Sequence, residues 1–168
     1  MKKLMLLGCS VLLLAIPSTG DAQVAFGPQL SWGSDSDIGV GGRAVIGIPQ
    51  FRTGLELHVS GDYFFLDCGG STSEVDCSWI EFNANAALPV PLAENLNTYV
   101  GAGLNVTRVK VDVGPFGSAS NTEIGINVLG GLKFPMGGMT PFTEARFTIG
   151  GSEQFVLTVG LLFGGGAR

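Results

Sequence analysis

The chain has 168 residues, 14% of them charged, with a formal net charge of −5 and a mean hydropathy of +0.39. Soluble domains carry about 25% charged residues, so the composition is poor in the groups that hold a surface in water. The acidic balance, without a basic cluster, argues against nucleic acid as a partner.

Residues 1–22 read as a cleaved secretory signal. Lys2 and Lys3 form its basic start, Leu4 to Ile16 its apolar stretch, and Gly20 and Ala22 the small residues of a cleavage site. The apolar stretch is too short to span a bilayer. "LLGC", ending at Cys9, looks like a lipidation box, but few apolar residues precede it and the apolar run continues past it. Residues 23–168 remain as one domain. No later segment offers the roughly 18 continuous apolar residues of a membrane helix. For an exported, apolar chain without helices, the main physical solution is a closed β-barrel.

Alternation of apolar and polar residues predicts eight strands, at 24–33, 38–48, 53–66, 79–90, 97–113, 121–135, 140–150 and 153–163. The first carries Phe26 and Trp32 and ends in "GSDSD", whose Asp and Ser residues suit a tight turn better than a calcium loop. The second carries Arg43 on its polar row. The third sets Leu55, Leu57, Val59, Tyr63 and Phe65 against Glu56, His58, Ser60 and Asp62. Cys68 and Cys77 then flank a loop of turn-forming and charged residues, and in an exported chain they are expected to form a local disulfide.

The fourth strand sets Ile80, Phe82, Ala84, Ala86 and Leu88 against Glu81, Asn83, Asn85 and Ala87, with Trp79 at its start. On the fifth, the apolar row Val100, Ala102, Leu104 and Val106 changes to Arg108, Lys110 and Asp112, as though this hairpin rises above the lipid. Asn105-Val106-Thr107 matches a glycosylation sequon by chance inside a strand. The sixth sets Ile124, Ile126, Val128, Gly130, Leu132 and Phe134 against Glu123, Gly125, Asn127, Leu129, Gly131 and Lys133. The seventh carries Glu144 and Arg146. The eighth, "EQFVLTVGLLF", alternates a wholly apolar row from Phe155 to Phe163 with a mixed row of mostly small or polar residues.

A water-soluble barrel with its apolar rows inward would leave Asn, Gly, Ser and Ala to form the whole outer surface, and such surfaces are normally richer in ions. The apolar rows are therefore assigned to lipid and the polar rows to a narrow lumen. That lumen is expected to hold a network of Arg43, Glu56, His58, Asp62, Glu81, Glu123, Lys133, Glu144 and Arg146, because unpaired buried charges are costly. Arginine is expected to be less disruptive at Asn127 than at Val128 if the lumen tolerates it. Trp32, Tyr63, Phe65, Trp79 and Phe155 are assigned to an outer aromatic girdle, and Phe26, Phe134 and Phe163 to an inner one. The connections starting at Pro49, Pro91 and Pro135 are assigned to the periplasm, and the cysteine-bearing loop to the cell surface.

"YVGAGLNV", "GLKFPMGGMTPFTEARFTIG" and "VLTVGLLF" resemble the small outer-membrane β-barrel proteins related to OmpA and OmpX, best over the last 70 or so residues. The resemblance implies an all-β, eight-stranded, antiparallel up-and-down transmembrane β-barrel in the outer membrane. It brings no catalytic motif, and no peptidoglycan-binding domain is expected after the barrel. It also implies that Phe163 is part of a signal read by the barrel-assembly machinery, although "GGGAR" follows it here.

The expected role is structural or surface-interacting, in a monomer contacting outer-membrane lipid and lipopolysaccharide. No catalytic residue, cofactor or metal is expected. A narrow gated channel for water or small ions is the first alternative. A lipid A hydrolase using His58 and Ser60, whose side chains share one strand face, is the second.

Overall fold

The computed structural model describes residues 23–48, 54–66, 76–93, 96–114 and 117–164. They form β1 (Val24–Gly33), β2 (Asp37–Gly47), β3 (Glu56–Phe64), β4 (Asp76–Ala93), β5 (Leu96–Asp112), β6 (Ser118–Lys133), β7 (Met139–Ile149) and β8 (Gln154–Gly164). Each strand pairs antiparallel with the next in sequence, and β8 returns to pair with β1, so the sheet closes as an eight-stranded up-and-down barrel. Closure satisfies the backbone of both would-be edge strands, from Ala25 opposite Gly164 to Gly33 opposite Val156. No α-helix occurs among the described residues.

The start of β1 and the end of β8 lie at one end of the barrel, here the terminal end. The β1–β2, β3–β4, β5–β6 and β7–β8 connections lie at the other, the loop end. The first connection turns at Asp37, which has a φ of 58°, a conformation that Asp tolerates better than most residues. The segment between Cys68 and Cys77, and the 49–53 connection, fall largely or wholly outside the described residues.

The outer side of the sheet is apolar. Phe26, Leu30, Ile38, Phe82, Leu104, Ile126, Val128, Phe147 and Val159 are all exposed, and Ile124 reaches 69%. The inner side is buried and polar, with Asn127 at 0% between two exposed neighbours. This inverts the partition of a water-soluble protein, which seldom exposes contiguous apolar area beyond a few hundred Å². Hydrocarbon is the solvent that such a surface fits.

The elements match the alternation in the sequence, with differences at the ends. β3 is shorter than expected and β4 longer. β4 continues because β5 supplies ladder partners beyond the apolar stretch, down to Asp76 opposite Asp112. The interior also departs from a purely polar filling. Val45, Phe142 and Leu162 form one buried cluster with Ala25 against it, and Ala87, Tyr99 and Leu129 form another. Both lie toward the terminal end, at the level where Glu56 and Lys133 also pair.

Large interior residues are seated against glycines. A Cβ at Gly131 would lie 2.4 Å from the Tyr99 ring, one at Gly160 2.6 Å from Phe142, and one at Gly39 2.7 Å from Phe64. An eight-stranded interior is only wide enough for side chains to fill, so each ring needs a position without one.

The structure bears on the condition set for arginine at Asn127, that the lumen has room for it. Its amide nitrogen donates to Asn83 Oδ1 and Asn85 Oδ1 at 2.9 and 2.8 Å, and its Oδ1 accepts from Thr148. No volume is left for a longer side chain. Arginine therefore disrupts both sites, and leucine is the informative substitution. Val128→Leu should leave stability unchanged, whereas Val128→Arg should cost about 2–4 kcal/mol in a bilayer. Asn127→Leu should be destabilising through its lost hydrogen bonds. Urea titration of the barrel folded in vesicles measures all three, and a harmless Asn127→Leu with a costly Val128→Leu would exchange inside for outside.

Candidate functional site

Two regions concentrate charged and polar side chains: the lumen, and the part of the sheet that extends past the apolar belt at the loop end.

In the lower lumen, Arg43 from β2 meets Glu144 from β7 in a two-pronged pair, Nη1 to Oε2 at 2.7 Å and Nη2 to Oε1 at 2.6 Å. A planar guanidinium matches a carboxylate in this way. Arg43 Nε donates to Gln29 Oε1 at 2.9 Å, and the guanidinium lies 4.6 Å from the centre of the Phe142 ring. Gln29 Nε2 in turn donates to both oxygens of Asp62. Ser31 adds a third hydrogen bond to Asp62 and a contact to Thr158. Tyr99 Oη donates to Glu144 Oε2 at 2.8 Å. Nearer the terminal end, Glu56 accepts from Lys133 and faces His58 Nε2 at 2.8 Å.

In the upper lumen Glu81 is the hub. It accepts from Arg146 Nη2, Gln154 Nε2 and Trp79 Nε1. Asn105 Nδ2 lies 3.4 Å from Glu81 Oε2 and donates to Asn83 Oδ1 at 2.8 Å. Thr107 donates to Asn105, and Ser36 to Gln154 Oε1. Glu144 and Arg146 stand two apart on β7, so both point inward while each answers a different partner of opposite charge.

Arg43, Glu56, His58, Asp62, Glu81, Lys133, Glu144 and Arg146 thus occupy the lumen as two clusters. Glu123 sits apart at the loop end, half-buried. There it accepts from Ser152 and Asn121 and ties β6 to the β7–β8 turn. Trp79 requires a correction. It shares the inward side of β4 with Glu81, to which its indole N–H donates at 3.0 Å, so it belongs to the lumen mouth and not to an outer girdle. The outward row of β4 begins one residue later, at Ile80. The other aromatics assigned to girdles are exposed: Trp32, Tyr63, Phe65 and Phe155 toward the loop end, and Phe26, Phe134 and Phe163 toward the terminal end. Phe26 and Phe163 are direct cross-strand neighbours.

Several lumen residues were not singled out from the sequence: Gln29, Tyr99, Asn105 and Gln154. Their inward side was legible from alternation, and Tyr99 also heads a row continued by Gly101 and Gly103. His58 and Ser60 are both buried on the lumen face, with the His58 Nε2 directed at Glu56. Among the described residues no cluster of three or more His, Cys, Asp or Glu is placed to hold a metal.

At the loop end, β4 and β5 remain paired out to Asp76–Asp112, and β5 and β6 out to Asp112–Ser118. The β6–β7 pairing stops earlier, at Ile126 opposite Ile149. Three strands therefore project past their neighbours as a blade. On its outward face, Arg108 and Lys110 continue the row that lower down is Val100, Ala102, Leu104 and Val106, and all six are exposed. Lys110 Nζ lies 3.1 Å from Asp112 Oδ2.

This architecture defines a small eight-stranded barrel of the outer-membrane type. No family model and no curated protein matches the sequence. Among solved structures, the chain is similar to Ail, the attachment invasion locus protein of Yersinia pestis. That match has 14% identity and a TM-score of 0.61, over 86% of this chain and 96% of that one. Neisserial surface protein A matches with 19% identity and a TM-score of 0.60, over 84% and 96%. The N-terminal β-barrel domain of Pseudomonas aeruginosa OprF matches with 14% identity and a TM-score of 0.64, over 87% and 99%. The chain has the fold of these small outer-membrane barrels.

The buried Arg43–Glu144 pair generates a stability prediction. Breaking it from either side, by Arg43→Met or Glu144→Gln, should cost about 3–5 kcal/mol, because the partner is left charged and buried. The double variant should cost clearly less than the sum. Equilibrium unfolding in detergent micelles measures the cycle, and strictly additive losses would show that the two groups act independently.

Proposed function

We propose that this protein resides in the outer membrane as a monomeric barrel with a plugged lumen, and that its working surface is the loop-end blade. The observation that carries this reading is the outward row of β5. It is apolar through Val106 and then presents Arg108 and Lys110 on a part of the sheet that extends past β7. Basic side chains just beyond an apolar belt are placed to meet anionic headgroups. The reading assigns lipopolysaccharide phosphates to Arg108 and Lys110, and the blade's remaining polar face to envelope or surface contacts. The names of two fold neighbours, an attachment invasion locus protein and a surface protein, are consistent with a role at the cell surface.

The same reading takes residues 1–22 as a removed export signal and the final strand as the part recognised by the assembly machinery. It also takes Cys68 and Cys77 as a disulfide pinning the second loop; Cys68 lies outside the described residues. A conducting lumen is less well supported, because Val45, Phe142, Leu162, Ala87, Tyr99 and Leu129 fill the terminal end of the interior beside the Glu56–Lys133 pair. A lipid hydrolase is also less well supported, since His58 and Ser60 face the lumen, where acyl chains do not reach.

The test is binding of the detergent-purified barrel to lipopolysaccharide, compared with the same lipid after dephosphorylation. Binding should depend on the phosphates, and Arg108→Glu combined with Lys110→Glu should weaken it at least about tenfold, on the basis of roughly 1 kcal/mol per basic residue near an anionic surface. Equal binding to both lipids, or no effect of the double reversal, would contradict the assignment.

A further inference from the structure

The hairpin between β6 and β7, at the terminal end, carries Met136 and Met139, the only methionines in residues 23–168. They face each other across a two-residue turn. Met136 N–H donates to Met139 O at 2.8 Å, and Met139 N–H donates to Met136 O at 3.3 Å. Between them Gly137 and Gly138 have φ of 50° and 102°, the positive pair that the tightest hairpin turns require. One step further in, Phe134 N–H donates to Pro141 O at 2.8 Å, so the hairpin is held at two levels. Residues directly opposite in an antiparallel ladder put their side chains on one face, with Cβ atoms about 4.5–5.5 Å apart. Methionine turns about three side-chain bonds, and two sulfurs starting this close can meet at one point.

Both side chains are open to the outside, Met136 at 63% and Met139 at 42%. Lipid contact alone does not account for them. Along the barrel the outward rows use Leu, Ile, Val and Phe for that contact, and methionine enters only where the two face each other. Two sulfurs on a preformed turn are a ligand set. Thioethers are soft and uncharged, and they select copper(I) over hard cations. The rest of the hairpin agrees with that choice. Phe134, Pro135, Thr140 and Pro141 supply no carboxylate, imidazole or thiolate, so calcium, magnesium and zinc lack the ligands they need. Phe163 is the cross-strand neighbour of Met139, and both it and Phe134 are exposed at the same end. Aromatic faces attract a nearby cation.

We propose that Met136 and Met139 form a two-sulfur site for a soft monovalent cation, copper(I) or its analogue silver(I), at the terminal rim of the barrel. Each thioether gives the ion one lone pair. Neither sulfur carries a proton to lose, so the ion binds without the proton release that thiolate or imidazole ligands entail. The site lies at the opposite end from Arg108 and Lys110, and failure of lipopolysaccharide binding leaves it standing.

The test uses the whole barrel purified in detergent, with carbon-13 in the methionine methyl groups, assigned by Met136→Leu and Met139→Leu. Leucine keeps the apolar contact and removes the sulfur. On titration with silver nitrate in chloride-free buffer, both methyl resonances should move along one saturable curve. Copper kept reduced with ascorbate should move the same two, whereas calcium and zinc should leave them in place. Met136→Leu should weaken the response of the Met139 methyl to silver at least about tenfold, because the second sulfur no longer adds to the first. The readout is at the two sulfurs, so silver held by Cys68 or Cys77 does not imitate it. Methyl resonances that do not move with silver, or a single variant whose remaining methyl follows an unchanged curve, would overturn the proposal.

Discussion

Closure of β8 onto β1 is the constraint on which the rest of this structure depends. Once the ladder runs from Ala25–Gly164 to Gly33–Val156, the cylinder has no free edge and its barrel backbone polar groups are paired within the sheet. The outer surface can then be wholly apolar without stranding a peptide group in hydrocarbon. The same closure walls the interior along its sides, so most side chains of the inner rows are buried. Every polar side chain on the inner rows must therefore find its partner inside, and the two faces have opposite requirements at every step along each strand.

The interior meets its side of that constraint by charge and by volume. Arg43 and Glu144 bind through two parallel hydrogen bonds, with Gln29 and Tyr99 taking up the remaining positions. Glu81 holds Arg146, Trp79 and Gln154. Removing one member of such a set leaves an uncompensated charge, so these groups act as units. Volume is met by setting rings against glycines, as Tyr99 is against Gly131 and Phe142 against Gly160. Glycine within a strand normally weakens it; here it makes room for the side chain opposite.

The fold was legible in the sequence because alternation of period two is a direct image of this two-sided constraint. The rows on β4, β6 and β8 appear unchanged in the structure, and so does the switch on β5 from Val106 to Arg108. What was not legible came from relations across the lumen. Phe142, Leu162, Val45 and Leu129 are apolar residues on inner rows. Only the three-dimensional arrangement shows that they gather at one end. Alternation states which side a residue takes and not which partner it meets, so the split into an Arg43–Glu144 cluster and a Glu81–Arg146 cluster was hidden. Trp79 was misplaced because an aromatic near a strand end suits an interface by type, while its parity with Glu81 sets it inside. The room at Asn127 was not legible because it depends on Asn83, Asn85 and Thr148, three residues on other strands.

The account's central claim is that the apolar side of the sheet faces a bilayer and the polar side faces inward. The most direct measurement is membrane fractionation of the expressed protein, with each fraction run on a gel unboiled and boiled. A closed barrel resists the detergent until heated, so the account predicts a band in the outer-membrane fraction whose mobility changes on boiling. A soluble periplasmic protein, or an outer-membrane band with the same mobility before and after boiling, would contradict it.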